Sequence, residues 1–405
     1  MAPPVKIHVS PSGRRIAPFG DPPGDILIQN RPLADWQAEM IRDAGLERVE
    51  DAAPPCLQVP DTLFTTAEVL GRFAERAAGR NAVLVLKDSV FARHTTPVQP
   101  RVVPAGDGFR FEDVRFLSGG REPAADVVCD PEEKLFQIPV PAALTNKDTI
   151  ELSLPRHPVI TLHHWVHILW ANEAAGAMLA RRVPPLRLAL SGARAFLRTF
   201  SLNRWRLLGK INRIGRRCDI HPTAVVEGST LDDGVTIGAH ARVLFSRIGR
   251  QASVMTGANV EASVIGERAT VCQHTTVRLC VIYPGAMAGQ RLMQMCVLGR
   301  DAITVEGSWS IDLNLTRDAR VSLDGTLHSI GAPFLGSAFG HRCRVGTGMW
   351  LAQGRMIPNG AFIVCAPDQV VSRIDPDLPA DVALANDRGT LAPVAGSVPS
   401  GRIPG

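Results

Sequence analysis

The stretch from Ile220 to Ile282 decides the fold of the C-terminal part of the chain: IHPTAVVEGSTLDDGVTIGAHARVLFSRIGRQASVMTGANVEASVIGERATVCQHTTVRLCVI. Aliphatic residues return in it in steps of six, six and five, so the pattern repeats every 17 residues. Three columns follow, and all twelve of their positions are aliphatic: Ile220, Ile237, Val254, Val271; Val226, Val243, Val260, Val277; Leu231, Ile248, Ile265, Ile282. Neither an α-helix nor a simple alternating strand produces this spacing.

This period predicts a left-handed parallel β-helix of hexapeptide repeats. Each coil has three short strands, and one aliphatic side chain per strand points inward and stacks on its equivalent in the next coil. We expect the β-helix over residues 218–375. The period is lost across about 300–333, which predicts an insertion on one face, and it returns in steps of six from Phe339 to Ile363. The tail at 376–405 is rich in Pro, Gly and Ala, and this composition predicts disorder.

Residues 1–183 show a different pattern, in which strand-like and helix-like segments alternate. Val5 to Val9 and Ala82 to Leu86 are short apolar runs typical of buried strands, whereas Pro32 to Ala44 and Phe64 to Ala78 have the pattern of helices. The alternation predicts an α/β domain with a mostly parallel, Rossmann-like sheet.

Several features of composition indicate where such a protein works. The chain has eight cysteines without a C-x-x-C pair, which is typical of a reducing compartment. The most apolar segment, Val159 to Met178, contains three histidines and Glu173, so we expect no membrane span there. The first residues lack the pattern of a signal peptide. We therefore expect a cytoplasmic protein.

A basic segment lies between the two predicted domains. Nine Arg or Lys residues and no Asp or Glu occur between Pro184 and Cys218, interleaved with leucines and aromatic residues. The pattern predicts a linker helix at 184–217 that packs its apolar residues on the β-helix and leaves its arginines in water. Contact with an anionic membrane surface is the alternative. We expect no nucleic-acid binding.

Four motifs of the N-terminal part occur in an order typical of one family. They are Ser10 to Pro18 (SPSGRRIAP), Asn30 to Leu33 (NRPL), Val83 to Asp88 (VLVLKD) and Trp165 to Met178 (WVHILWANEAAGAM). Together with the β-helix behind them, they resemble the sugar-1-phosphate nucleotidyltransferases. In that family the first motif has the form G-G-x-G-T-R-L-x-P, and the third ends in Gly-Asp.

This resemblance implies an activity and a site. A sugar 1-phosphate would attack a nucleoside triphosphate, and magnesium would serve as cofactor. Gly13, Arg14 and Arg15 match the phosphate-binding loop, and Arg15 and Asp88 match catalytic positions. Asp88 matches the magnesium ligand, and Asn172 is a candidate for a second ligand. Phosphate binding at backbone N–H groups and cationic side chains, with magnesium on carboxylates, suits this chemistry.

The chain departs from the family pattern at the loop. Ser10 and Pro11 replace the first two glycines, and proline has no N–H to donate. No lysine lies between Lys6 and Lys87, where the family has one. These departures leave an alternative open, in which the protein is a catalytically degraded relative that binds a nucleotide sugar in a regulatory or scaffold role.

Histidines leave a second alternative open. His240 and His274 fall in predicted turns of the β-helix, where related acyltransferases place a catalytic base, so the β-helix is a candidate acyltransferase. His163, His164 and His167 lack the spacing of a zinc triad, and we interpret them as structural. Under every alternative we expect a homo-oligomer, because β-helices of this type commonly associate.

Overall fold

The computed structural model describes residues 5–77, 79–140, 149–181, 211–379 and 382–394. An α/β domain ends with the helix at Trp165–Arg181, and a β-helix begins at Arg213–Ile214. The predicted fold class is confirmed: an α/β domain precedes a left-handed parallel β-helix. Most of the predicted linker helix at 184–217 lies outside the described residues.

The α/β domain contains four helices and thirteen strands in the described ranges. The helices are α1 Leu33–Asp43, α2 Ala67–Ala77, α3 Val90–Thr95 and α4 Trp165–Arg181. The strands are β1 Lys6–Ser10, β2 Leu27–Ile28, β3 Arg31–Pro32, β4 Glu47–Val49, β5 Cys56–Pro60, β6 Leu63–Phe64, β7 Ala82–Lys87, β8 Val102–Ala105, β9 Gly108–Leu117, β10 Ala125–Cys129, β11 Lys134–Pro139, β12 Thr149–Leu154 and β13 Ile160–Thr161.

Seven of these strands form the central sheet, in the order β10-β7-β9-β5-β1-β4, with β8 paired to β9. Strand β9 runs antiparallel to both β5 and β7, while β1 is parallel to β4 and β5, and β7 is parallel to β10. The sheet is therefore mixed, and the prediction of a mostly parallel sheet is wrong at β8 and β9. Strands β1, β5, β7 and β10 still end at one edge.

Helix α4 packs between the two domains. Its side chains Trp165, Ile168 and Leu169 are buried, and they share one apolar core with Val281 and Val297 of the β-helix. This helix is apolar on nearly all sides because both the sheet and the β-helix cover it. The two domains thus have a common core, which fixes their relative position.

The β-helix has three faces of stacked parallel strands. The first face contains Arg213–Ile214, Thr230–Leu231, Arg247–Ile248, Val264–Ile265, Val281–Ile282, Val297–Leu298, Ala338–Phe339 and Met356–Ile357. The second contains Asp219–Ile220, Thr236–Ile237, Ser253–Val254, Thr270–Val271, Met287–Ala288, Ile303–Thr304, Arg344–Val345 and Phe362–Ile363. The third contains Val225–Glu227, Arg242–Leu244, Asn259–Glu261, Thr276–Arg278 and Leu292–Gln294, followed by the pair Trp309–Ser310 and Trp350–Leu351.

All three predicted columns occupy inward positions of these faces. Each predicted residue pairs with its equivalent in the next coil, as Ile248 does with Ile265 and Val243 with Val260. The inward side chains form one apolar core in which most members are fully buried.

Along one corner of the β-helix, a ladder of small polar side chains accepts hydrogen bonds from backbone N–H groups. The Ser246 N–H donates to Ser229 Oγ at 3.1 Å, the Ser263 N–H to Ser246 Oγ at 3.1 Å, and the Cys280 N–H to Ser263 Oγ at 3.0 Å. The Cys296 N–H continues the ladder by donating to Cys280 Sγ at 3.3 Å. Buried N–H groups that the sheets leave unpaired at this corner thus find partners.

Two predicted boundaries differ from the structure. The β-helix begins at Arg213, because Arg213–Ile214 pairs with Thr230–Leu231. The insertion begins after Ser310, not at about residue 300, because the strands Ile303–Thr304 and Trp309–Ser310 still belong to a coil. The aliphatic pattern did not predict this coil, because inward residues such as Ser310 are polar. The insertion contains the hairpin of Arg320–Leu323 and Thr326–Ser329.

The tail also differs from its prediction. The expected disorder over 376–405 is wrong for residues 384–393, where Leu384–Asp387 and Thr390–Pro393 form a hairpin, and a 3-10 turn at Pro367–Gln369 precedes it. A second 3-10 turn, Pro23–Asp25, lies in the loop after β1.

Candidate functional site

The predicted site residues follow strands that end at one edge of the central sheet. The loop with Gly13 follows β1 and Asp88 follows β7, and Asp61, which was not among the predicted residues, follows β5. In open α/β sheets, ligands bind at the carboxyl edge of the parallel strands. Two strands, β5 and β9, separate β1 from β7, so the loop and Asp88 lie about 14 Å apart along the edge at the usual strand spacing.

The loop after β1 turns at Gly13, which adopts the left-handed conformation that glycine allows. Gly13 has φ of 65°, and a Cβ added to it would have no other group within 4 Å. Two backbone N–H groups of the loop already have protein partners: Ser12 donates to Asp61 Oδ1 at 3.1 Å, and Arg14 donates to Ser12 Oγ at 3.3 Å. The Asp61 carboxylate thus occupies a position at which such a loop offers N–H groups to a phosphate.

Both loop arginines contact protein groups. Arg15 Nη1 donates to the Gly20 carbonyl at 2.9 Å, which closes the loop on itself. Arg14 Nη2 lies 3.7 Å from Asp324 Oδ2, at the tip of the insertion hairpin. Arg15 therefore stabilises the loop, whereas Arg14 pairs with a carboxylate from the other domain.

Asp88 lies at the end of β7, as predicted, and is half-exposed. Its Oδ1 accepts a hydrogen bond from Arg93 Nε at 3.0 Å. Lys87, which replaces the family glycine, donates to Asp130 Oδ2 at 2.8 Å. This hydrogen bond lowers the pKa of Asp130 and raises that of Lys87. The edge near Asp88 therefore carries two salt bridges on adjacent residues.

Asn172 is buried in α4 and bonded to backbone. Its Oδ1 accepts from the Gln29 N–H at 2.7 Å, and its Nδ2 donates to the Leu27 and Ile168 carbonyls at 3.1 and 2.8 Å. These bonds hold the β2–β3 hairpin on α4. Within the described residues, no group of three or more His, Cys, Asp or Glu side chains is arranged to hold a metal ion. Magnesium binding at Asp88 and Asn172 stays a prediction.

The three clustered histidines have a structural arrangement. The N–H groups of His163 and His164 donate to His167 Nδ1 at 3.0 and 3.1 Å, and His167 Nε2 lies 2.9 Å from the Pro97 carbonyl. Nδ1 accepts, so the proton is on Nε2 and the ring is neutral. Burial lowers the pKa of His167 to about 4. His167 thus satisfies backbone groups at the start of α4.

An ionic cluster that the sequence does not reveal joins the loop after β1 to the β-helix. Asp21 Oδ2 accepts from Arg300 Nη1 at 2.6 Å and from His341 Nε2 at 3.1 Å. Burial raises the pKa of Asp21, but the hydrogen bonds from His341 and Arg300 outweigh it and leave the pKa lowered. Nothing in the spacing of these residues, 279 and 320 positions from Asp21, predicts the contact.

Tyr283 completes this interface. Its hydroxyl oxygen accepts from the Leu27 N–H at 3.2 Å, and the Arg300 guanidinium lies 5.2 Å from its ring centroid. Phe19 packs against the same ring at 5.7 Å. Burial raises the pKa of the Tyr283 hydroxyl, which stays protonated. The loop is therefore anchored to the β-helix along most of its length.

The histidines of the acyltransferase alternative lie at one corner of the β-helix. His240 and His274 are exposed and have φ of 56°, and they occupy equivalent positions two coils apart. The ring of His274 lies over Gly257, whose missing Cβ leaves the space for it. A catalytic role for either histidine stays a prediction.

The fold defines a class of proteins in which an α/β domain is joined to a left-handed parallel β-helix. A family model described as the GMPPB C-terminal domain matches residues 201–298. This match confirms the resemblance to sugar-1-phosphate nucleotidyltransferases with a C-terminal hexapeptide repeat. It covers the first coils of the β-helix and not the loop or Asp88.

Two solved structures are also similar to this chain. A hexapeptide transferase family protein from Anaplasma phagocytophilum is 17% identical over 37% of this chain and 76% of its own, with a TM-score of 0.22. A putative acetyltransferase from Bacillus cereus is 18% identical over 37% of this chain and 77% of its own, with a TM-score of 0.19. Scores this low support no conclusion about activity. No curated protein matches the chain.

None of the helices in the described ranges is long and apolar enough to cross a membrane.

Proposed function

We propose that this protein is a nucleotidyltransferase-like protein of sugar-nucleotide metabolism that binds a nucleotide sugar without transferring the nucleotidyl group. The family match supports the link to sugar nucleotides. The contact of Asp61 with the loop supports the loss of transfer.

Nucleotidyl transfer requires a loop that accepts a triphosphate. Such loops bind phosphate with free N–H groups and positive charge. Here the Ser12 N–H is bonded to the Asp61 carboxylate, and Pro11 has no N–H. A carboxylate at this position repels a triphosphate and competes for its donors. Transfer from a nucleoside triphosphate to a sugar 1-phosphate, with magnesium held by Asp88, is the rival that this contact disfavours.

A regulatory or scaffold role also fits the outer surface of the β-helix. Trp350 and Phe362, which point outward from the last coils, have exposed fractions of 74% and 70%. Large exposed apolar side chains of this kind are typical of association surfaces. We therefore propose a homo-oligomer, which light scattering on the purified chain will test.

The binding proposal is tested by thermal shift with a panel of nucleoside triphosphates and nucleotide sugars, with and without magnesium. The proteins are the wild type, Asp88→Ala and Asp126→Asn. Asp126 is the matched control, because it is also an ion-paired aspartate of the sheet but lies at the start of β10, on the opposite edge. A parallel assay measures pyrophosphate release from each triphosphate with sugar 1-phosphates.

We expect nucleotide sugars to raise the melting temperature of the wild type, with no pyrophosphate release above the background. Magnesium-dependent stabilisation by a triphosphate that Asp88→Ala loses, together with pyrophosphate release, would establish the rival instead. If no ligand of the panel shifts any of the three proteins, the binding proposal is wrong.

A further inference from the structure

Two buried polar side chains beside the loop lack hydrogen-bond partners. Both ring nitrogens of His163 are unpaired although the residue is only 6% exposed, and the hydroxyl of Thr62 is unpaired at 0% exposure. Burying such groups without partners costs free energy, and in native structures each one calls for an explanation. A ligand that accepts hydrogen bonds is one explanation.

Backbone contacts place both groups next to the loop after β1. Leu162, which precedes His163, donates its N–H to the Thr62 carbonyl at 2.9 Å. Asp61, which precedes Thr62, accepts from the Ser12 N–H at 3.1 Å. Burial lowers the pKa of His163 to about 3, and the Arg14 charge lowers it further, so the His163 ring is neutral. The cation of this neighbourhood is therefore Arg14.

The insertion hairpin of the β-helix reaches Arg14 in the loop after β1. Its base is anchored, since Val321 and Ile330 are 0% and 1% exposed within the core of the α/β domain, and His164 Nε2 lies 3.2 Å from the Ser322 carbonyl. Its tip is a tight turn at Asp324 and Gly325, with φ of 50° and 82°. The Asp324 side chain is 76% exposed and lies 3.7 Å from Arg14.

We propose that Arg14, Thr62 and His163 form a binding site for a diphosphate group, and that the insertion hairpin keeps this site closed by placing Asp324 on Arg14. The proposal rests on the proposed function, in which the diphosphate belongs to a nucleotide sugar. Arg14 supplies charge, and the neutral His163 ring and the Thr62 hydroxyl supply donors. Asp61 stays bonded to the Ser12 N–H, so this backbone group is not part of the site.

The Asp324 contact is suited to displacement. Exposed ion pairs contribute little stability, so a diphosphate that binds Arg14 more strongly can replace the carboxylate. Only the tip of the hairpin has to move, because its base is buried. The β-helix domain thereby controls access to a site in the other domain.

The test measures the binding of inorganic pyrophosphate to the full chain by isothermal titration calorimetry. Asp324→Asn removes the competing charge and keeps the side-chain size. We expect it to bind pyrophosphate about three- to tenfold more tightly than the wild type. Asp318→Asn is the matched control, because Asp318 belongs to the same insertion but lies near Ser329 and not near Arg14. It removes the same charge and should bind as the wild type does.

A second variant tests the donors. Thr62→Val removes the unpaired hydroxyl with little change of shape, so the protein should fold with a melting temperature equal to that of the wild type or higher. We expect it to bind pyrophosphate about five- to tenfold more weakly. The proposal is wrong if Asp324→Asn and the wild type bind alike, if Thr62→Val binds as the wild type does, or if neither the wild type nor Asp324→Asn binds pyrophosphate.

These results are distinguishable from those on the proposed function. Nucleotide sugars that stabilise the wild type and Asp324→Asn equally would overturn the hairpin proposal alone. Tighter pyrophosphate binding by Asp324→Asn without binding of any nucleotide sugar would overturn the proposed function alone.

Discussion

The β-helix and the loop after β1 of the α/β domain differ in how their sequences relate to their structures. In the β-helix, the same type of side chain performs the same task in each coil, and neighbours such as Val260 and Val277 are in register. In the loop, each residue has its own partner, and several of those partners lie in the other domain. Because its pattern repeats, the structure of the β-helix can be predicted from the sequence. The structure of the loop depends on contacts between residues hundreds of positions apart.

The largest loss of stability is expected for a substitution in the core of the β-helix. Ile265 is fully buried and stacks between Ile248 and Ile282. We expect Ile265→Ala to lower the free energy of unfolding by about 2–5 kcal/mol, because a cavity in a stacked column is hard to fill. Chemical denaturation with circular dichroism measures the change.

Val225→Ala is the matched control for this prediction. Val225 belongs to the third face but points outward and is 44% exposed. We expect a change within about 0.5 kcal/mol. Equal losses in the two variants would contradict the assignment of inward and outward positions.

The same contrast explains how far sequence analysis succeeded. The twelve aliphatic positions predicted the β-helix because neither an α-helix nor an alternating strand places aliphatic residues at this spacing. The prediction missed the coil that contains Thr304 and Ser310, since these inward residues are polar and break the aliphatic column. In the α/β domain, the predicted segments agree with β1, β7, α1 and α2 within a few residues. Strand β9 and its antiparallel direction were not predicted, because a hydrophobic pattern does not encode direction.

For the candidate site, the sequence predicted positions and not partners. Gly13 and Asp88 follow strands that end at one edge, as the motifs predicted. The contacts of Asp61, Arg300 and Asp324 with this region were not predictable, because they depend on how the two domains pack. Such contacts decide what the loop is able to bind.

The three histidines at the start of α4 should make the stability of the α/β domain depend on pH. Burial lowers the pKa values of His163 and His164 to about 3 and that of His167 to about 4. The unfolded chain binds protons below about pH 6.5, and the folded chain does not. Stability is therefore fully present above that pH and decreases as the pH falls toward 4, by up to about 2 kcal/mol per histidine at pH 5.

His167→Gln tests this dependence, because a glutamine oxygen can still accept from the two N–H groups. We expect the stability lost between pH 7.5 and pH 5 to be smaller than in the wild type by about 2 kcal/mol. Denaturation midpoints at both pH values measure it, and the exposed His240→Gln serves as control. A variant that loses as much stability as the wild type would show that His167 is charged in the folded protein.

The smallest change in stability is expected for a substitution of Gly13. This substitution tests whether the loop keeps its left-handed turn when no ligand is bound. Gly13 has φ of 65°, and an added Cβ would have no other group within 4 Å, so Gly13→Ala introduces only the left-handed conformation, at a cost of about 1 kcal/mol. A Cβ added to Gly71, in α2, would also have no other group within 4 Å, and Gly71→Ala should stabilise the protein by about 0.5–1 kcal/mol. The two changes add the same methyl group in open space and differ only in backbone conformation. Opposite signs in thermal denaturation would show that the loop keeps its turn without a ligand, whereas a neutral Gly13→Ala would mean that the loop adopts another conformation in solution.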